Sequence, residues 1–112
     1  MKTCTSSCTP DFSATNEQLL QEKEFAAISK ALSHPARVRI LKILITLDNS
    51  GGCLNSDLVS ELGLAQSTVS EHLRILKQSQ LITAEPMPPK MCYQVNRERL
   101  SNYSALLTTI FQ

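Results

Sequence analysis

The sequence predicts a mainly α domain with one small β-hairpin, a homodimeric winged helix-turn-helix of element order α-α-α-α-β-β-α. Three observations predict it: two short amphipathic segments meeting at Gly63, a proline-rich turn after them, and apolar residues at helical spacing towards both ends. The segment from Ser56 to Ile82 carries most of the argument. Leu58 and Leu62 lie four residues apart on one helical face, and Gly63 follows where a residue without Cβ can turn left-handed. In the next segment Val69, His72, Leu73 and Leu76 recur at offsets 0, 3, 4 and 7, one face of a second helix. Its opposite stripe carries Ser67, Ser70, Glu71, Arg74 and Gln78. A helix of this kind can bury one side and offer the other to the major groove of DNA. Periodicity alone equally allows an ordinary helical hairpin with a solvated face.

The other elements follow in order. Residues 1–15 are Ser/Thr-rich with Pro10 and read as a flexible, cysteine-containing arm ahead of a domain spanning 16–112. Asn16 to Leu32 reads as a helix with Leu19, Leu20, Phe25, Ile28 and Leu32 as its apolar set. Ser33-His34-Pro35 ends it and starts another, with Ser33 or His34 near the cap and Pro35 at the first helical position, where its missing N–H is harmless. That second helix, through about Leu47, is broadly apolar and suits the centre of the core. Residues 48–52 form a loop, and Asn55 or Ser56 can cap the next helix with Asp57 near its positive end. Leu81–Glu85 and Met91–Val95 are short strand candidates around a stiff turn holding Pro86, Pro88 and Pro89, with Lys90 near the tip. Asn96 then caps a final helix whose Leu100, Tyr103, Leu106, Leu107, Ile110 and Phe111 need cover from a second subunit.

Composition narrows the function. A net charge of +1 over 112 residues does not announce a polyanion binder. Its distribution is more informative: residues 1–29 sum to −2, whereas the remainder holds nine basic and six acidic side chains. No secretory or membrane-spanning run is visible, so a cytoplasmic protein is expected, in which the four cysteines are thiols rather than structural disulfides. There is no phosphate-cradling glycine loop, and neither histidine stands in a recognisable catalytic setting. No enzyme and no catalytic cofactor are expected.

The run ALSHPARVRILKIL from Ala31 to Leu44, followed by LGLAQSTVSEHLRILKQSQLI from Leu62 to Ile82, resembles the ArsR/SmtB bacterial repressors. The resemblance covers about residues 20–110. It implies a homodimer joined through the first and last helices, which binds double-stranded operator DNA and releases it on sensing a metal, metalloid or oxidant. It also implies a recognition helix from about Gln66 to Gln78, with Gln66, Ser67, Thr68, Ser70, Glu71 and Arg74 facing the groove. Lys77 and, from the wing, Lys90 would meet phosphates. Ala65 departs from the serine common in the family at this N-cap, a loss of about 1 kcal/mol of capping.

For the signal, the resemblance points to thiols. Family members similar to this chain join N-terminal thiols to one at the start of the first hairpin helix to bind a soft ion. Cys4, Cys8 and Cys53 would then hold As(III) or Sb(III) as inducer, three thiolates in a pyramid. Cys53 lies near a helix N-terminus, which favours its thiolate. Asn55 stands where relatives carry the second thiol of a Cys-x-Cys pair, which weakens a cadmium or lead site. Cys92 alternates with Met91 and Tyr93, so it is either a buried core residue or the partner of Cys53 in a dithiol reading persulfide or oxidant. His34 and His72 read as structural. Residues 97–112 contain no His, Asp or Cys and one carboxylate, Glu98, so a zinc site on the last helix is not expected.

Overall fold

The computed structural model describes residues 10–52 and 58–112. Its elements are α1 (Asn16–Ala31), α2 (Pro35–Asn49), α3 (Leu58–Leu62), α4 (Gln66–Gln78), β1 (Ile82–Met87), β2 (Lys90–Val95) and α5 (Arg97–Ile110). Each long helix starts differently. Thr15 opens α1 with a capping box: its hydroxyl accepts from Gln18 N at 3.1 Å while its own N–H donates to Gln18 Oε1 at 2.9 Å. His34 caps α2, its Nδ1 accepting from Ala36 N at 3.1 Å, with Pro35 at the first helical position. Asn96 caps α5 through the backbone N–H of Arg99. Ala65 precedes α4 with no side-chain cap.

The core lies where α1, α2, α4 and the start of β1 converge. Ile28, Ile40, Leu44, Leu76, Leu81 and Ile82 are each at most 1% exposed. Burying six such side chains at about 1.5–3 kcal/mol each dominates the stability of so small a domain. The amphipathic pattern of α4 is borne out, with Val69, His72 and Leu76 buried on one face. Beyond the core α1 runs against α5, where the Phe25 and Tyr103 rings stack at 4.9 Å and Phe111 meets Phe25 edge-on. The Ser29 and Tyr103 hydroxyls share a 2.9 Å hydrogen bond. No residue of α5 is buried, and Leu19, Leu20, Leu107 and Phe111 remain exposed.

The wing is a two-stranded antiparallel sheet in register from Ile82 opposite Val95 to Met87 opposite Lys90. Both strands exceed the sequence expectation. Pro86 pairs with Met91 inside the sheet, leaving Pro88-Pro89, joined by a cis peptide, as the turn. A two-stranded sheet has only edge strands, so a missing N–H on its outer side breaks no ladder.

The C-terminus of α4 is tied more firmly than its start. Leu81 N reaches back to Leu76 O and Gln80 N to Lys77 O, each at 3.0 Å, with Gln80 left-handed at φ 65°. This is a Schellman closure with glutamine where glycine is usual. Asn96 Nδ2 donates to Gln80 O at 3.0 Å, and its backbone N to Leu81 O at 2.9 Å. Arg99 completes the tie, donating through Nε to Ser79 O at 3.0 Å and through Nη1 to Glu24 of α1 at 2.6 Å.

Candidate nucleic-acid interface

The outer stripe of α4 projects from the protomer. Gln66, Ser67, Thr68, Ser70, Glu71, Arg74 and Lys77 are all exposed along this helix, and Lys90 is exposed at the wing turn. The helix thus brings the first seven onto one element, while the wing carries the eighth. Arg74 forms an ion pair with Glu71, its Nε donating to Oε2 at 2.8 Å. The hydrogen bond holds the Glu71 carboxyl below its ordinary range and raises the Arg74 guanidinium. Gln66 Nε2 donates weakly to Ser70 Oγ at 3.4 Å. At about 1.5 Å per residue, thirteen residues give a rod some 20 Å long, with hydroxyls, amides and one guanidinium fork on its exposed side. Such groups can hydrogen-bond base edges and phosphates.

Arg74 sits on a ridge between two grooves. Towards the wing, Ser70, Arg74 and Lys77 face Ala84, Met91 and Tyr93 across a groove of about 240 Å³. On the other side a groove of about 470 Å³ is lined by Lys30, Ser33, Arg37, Arg74, Gln78 and Ser79, among others. Arg37 is anchored there by Nη1, which donates to the carbonyls of Lys30 at 3.3 Å and Ala31 at 3.1 Å. Neither Lys30 nor Arg37 is marked as functional by the sequence pattern. Only their place in a basic stretch around Ser33-His34-Pro35 hints at a role.

Beneath the stripe, His72 meets His34 with ring centroids 4.5 Å apart. His72 is 5% exposed, and neither ring nitrogen has a hydrogen-bond partner. Burial first, then the neighbouring His34 and Arg37, push its pKa below the ordinary histidine value of 6.5. A neutral imidazole buried against the α2 cap fits the structural reading of both histidines.

The thiols divide. Cys4, Cys8 and Cys53 lie outside the described residues. Cys92 is 4% exposed on β2, opposite Glu85, and is disulfide-bonded. Among the described residues no group of three or more His, Cys, Asp or Glu side chains is placed to hold a metal ion. No helix among them is long and apolar enough to cross a membrane.

Comparison with known proteins now places the chain. Residues 34–84, from the α2 cap into β1, match the family described as "Bacterial regulatory protein, arsR family". The Arsenical resistance operon repressor of Staphylococcus xylosus is 35% identical over 78 residues, covering 70% of this chain and 71% of that protein. An HTH-type transcriptional regulator of Mycobacterium tuberculosis, Rv0081, is 37% identical over 70 residues, and the chain spans 59% of its length. Among solved structures, reduced HlyU from Vibrio cholerae superposes with a TM-score of 0.65 at 25% identity, covering 88% of this chain and all of that one. The homodimeric winged helix-turn-helix DNA-binding domain of Mb0332 from Mycobacterium bovis shares the fold at a TM-score of 0.64 and 18% identity, covering 87% of each chain. Helix order, the paired wing and these likenesses converge: the chain is a winged helix-turn-helix protein and belongs to the arsR family of bacterial regulatory proteins.

Proposed function

We propose that this chain is a cytoplasmic transcriptional repressor that binds operator DNA as a homodimer and releases it when Cys92 is oxidised to a disulfide. The exposed apolar residues of α1 and α5 support the dimer. The α4 stripe supports the DNA reading: Gln66, Ser67, Thr68, Ser70, Glu71 and Arg74 enter the major groove, and Lys77 and Lys90 meet phosphates.

The observation that carries the redox signal is the buried, disulfide-bonded Cys92. In a reducing cytoplasm a disulfide is a transient, sensing bond rather than a staple. Cys53 is the partner that chain reach favours. It lies four residues beyond Asn49, whose side chain Arg97 grips at 2.6 Å, and Arg97 lies five residues beyond Cys92. The chemistry balances: two thiols lose two protons and two electrons to form the S–S bond. Hydrogen peroxide accepts them and becomes two waters, or a persulfide RSSH accepts them and becomes RSH and H₂S. The bond would tie the wing to the segment leading into α3 and restrict how α3 and α4 present themselves. Moving an operator from 99% to 1% bound needs about 5.5 kcal/mol of differential affinity. One site typically couples about 1–3 kcal/mol, so two symmetric sites per dimer suit the task.

Duplex from the region upstream of the gene, titrated with reduced and with peroxide- or polysulfide-treated protein, tests this. Oxidation is expected to weaken binding at least tenfold in wild type and not in Cys92→Ser or Cys53→Ser. An unaltered response of Cys92→Ser to oxidant defeats the redox reading. A second reading, release by As(III) or Sb(III) on Cys4, Cys8 and Cys53, is favoured by the likeness to the Staphylococcus xylosus arsenical repressor. The two compete for Cys53, which binds arsenic only as a thiolate. Release by arsenite from reduced protein, lost in Cys4→Ser and retained in Cys92→Ser, selects the second.

A further inference from the structure

We propose that the groove between the end of α1, the start of α2 and α4 seats a backbone phosphate of duplex DNA, held by Lys30 and Arg37 beside Arg74. This deepens the DNA reading above and rests on it. Three cations line the groove, Ser33, Gln78 and Ser79 add neutral polar groups, and no carboxylate lines it. Among the described residues no carboxylate forms an ion pair with Lys30 or Arg37, whereas the charge of Arg74 is shared with Glu71. Glu71 also feels the field of Arg37 without pairing with it, so the positive charge outside ion pairs on this flank belongs to α1 and α2 rather than to the recognition helix.

Position makes the same point. The groove shares Arg74 with the one on the wing side, so it continues the proposed interface rather than standing apart from it. A helix in the major groove, about 12 Å wide, has a phosphate strand on either side. Lys77, on the wing side of Arg74, faces one strand. Lys30 and Arg37, on the opposite side, face the other. The Arg37 guanidinium is held by two carbonyls at the end of α1, so its charge is in place before DNA arrives and little side-chain freedom is lost on binding. Lys30 is exposed and can swing to the phosphate.

The test is the salt dependence of binding to two unrelated mixed-sequence duplexes, because a phosphate contact is blind to sequence. Losing one phosphate contact makes the plot of log K against log salt shallower by about 0.9. Lys30→Gln is expected to show that change with a several-fold loss of affinity, equal on both duplexes, and Lys30→Arg to restore the slope. Arg37→Gln is expected to act in the same direction, and its melting curve reports separately on the fold. Lys42→Gln, exposed on the outer face of α2, is the control and should leave the slope unchanged. A wild-type slope in Lys30→Gln, or a loss confined to one duplex, overturns the phosphate assignment while leaving the repressor reading intact. Wild-type protein with no salt-dependent duplex binding overturns both.

Discussion

Helices α1 and α4 are held at opposite ends. At its start α1 has two reciprocal side-chain bonds between Thr15 and Gln18, yet from there to Phe25 its flank is largely exposed. Helix α4 has no side-chain cap at Ala65, but its inner face is buried and its last turn is closed by Leu81, Gln80, Asn96 and Arg99. Unbonded N–H groups at a helix start cost stability unless water or a ligand takes them. The contrast teaches that α1 is closed at its start by its own side chains, whereas α4 keeps its leading end open, where the proposed DNA contacts lie.

Four changes break or sharpen this contrast. The largest effect is expected from Leu76→Ala, which empties a fully buried site beneath α4; a loss of about 2–5 kcal/mol should appear as a lowered denaturation midpoint. Next is His72, a buried imidazole without hydrogen-bond partners. Replacing such a group by an apolar one of similar size removes a penalty of about 1–3 kcal/mol, so His72→Leu should melt higher than wild type. His72 also makes the fold acid-sensitive. Its folded pKa lies below its unfolded value near 6.5, so the unfolded chain binds the proton more readily. Stability is complete above pH 6.5 and is lost as pH falls from there through the folded value. Melting curves between pH 7.5 and 5, about the range where histidine titrates, should show that slope in wild type and lose it in His72→Leu. Third, Gln80→Gly relieves a left-handed side-chain residue and should stabilise by about 1 kcal/mol, seen as a raised midpoint with unchanged m-value. Smallest, Ala65→Ser supplies the missing cap and should add about 0.5–1 kcal/mol in the same measurement. If Ala65→Ser stabilises nothing, the open start of α4 is already satisfied and the contrast with α1 dissolves.

Much of this was legible in the residues. The inner face of α4 was legible because its apolar period is clean and Gly63 isolates it from α3, while its bounds at Gln66 and Gln78 agree with those the family resemblance implies. The wing was legible in kind but short in length, since three prolines read as loop although Pro86 sits in an edge strand. The exposed stripe, and with it the candidate DNA face, followed from the same period. Other features depend on docking between distant elements, which local pattern does not encode. The His34–His72 contact spans two helices, and the Arg99–Glu24 pair joins residues 75 positions apart. The basic groove is assembled from α1, α2 and α4, so neither Lys30 nor Arg37 stood out from its own neighbours. Alternation along β2 predicts the burial of Cys92 but not its bonding.

The tie at the end of α4 makes that helix a lever with its fulcrum at Ser79 and Gln80. Asn96 caps α5 and Arg99 lies in its first turn, and Arg99 also grips α1, so a shift within that pair of helices would act on the fulcrum. Along an arm about 20 Å long, a rotation of only about 10° would carry the leading end by about 3 Å. That is the length of a hydrogen bond, and it falls where Gln66, Ser67 and Ser70 would meet the bases. A small angular change at one end is thus enough to draw the proposed contacts at the leading end out of reach.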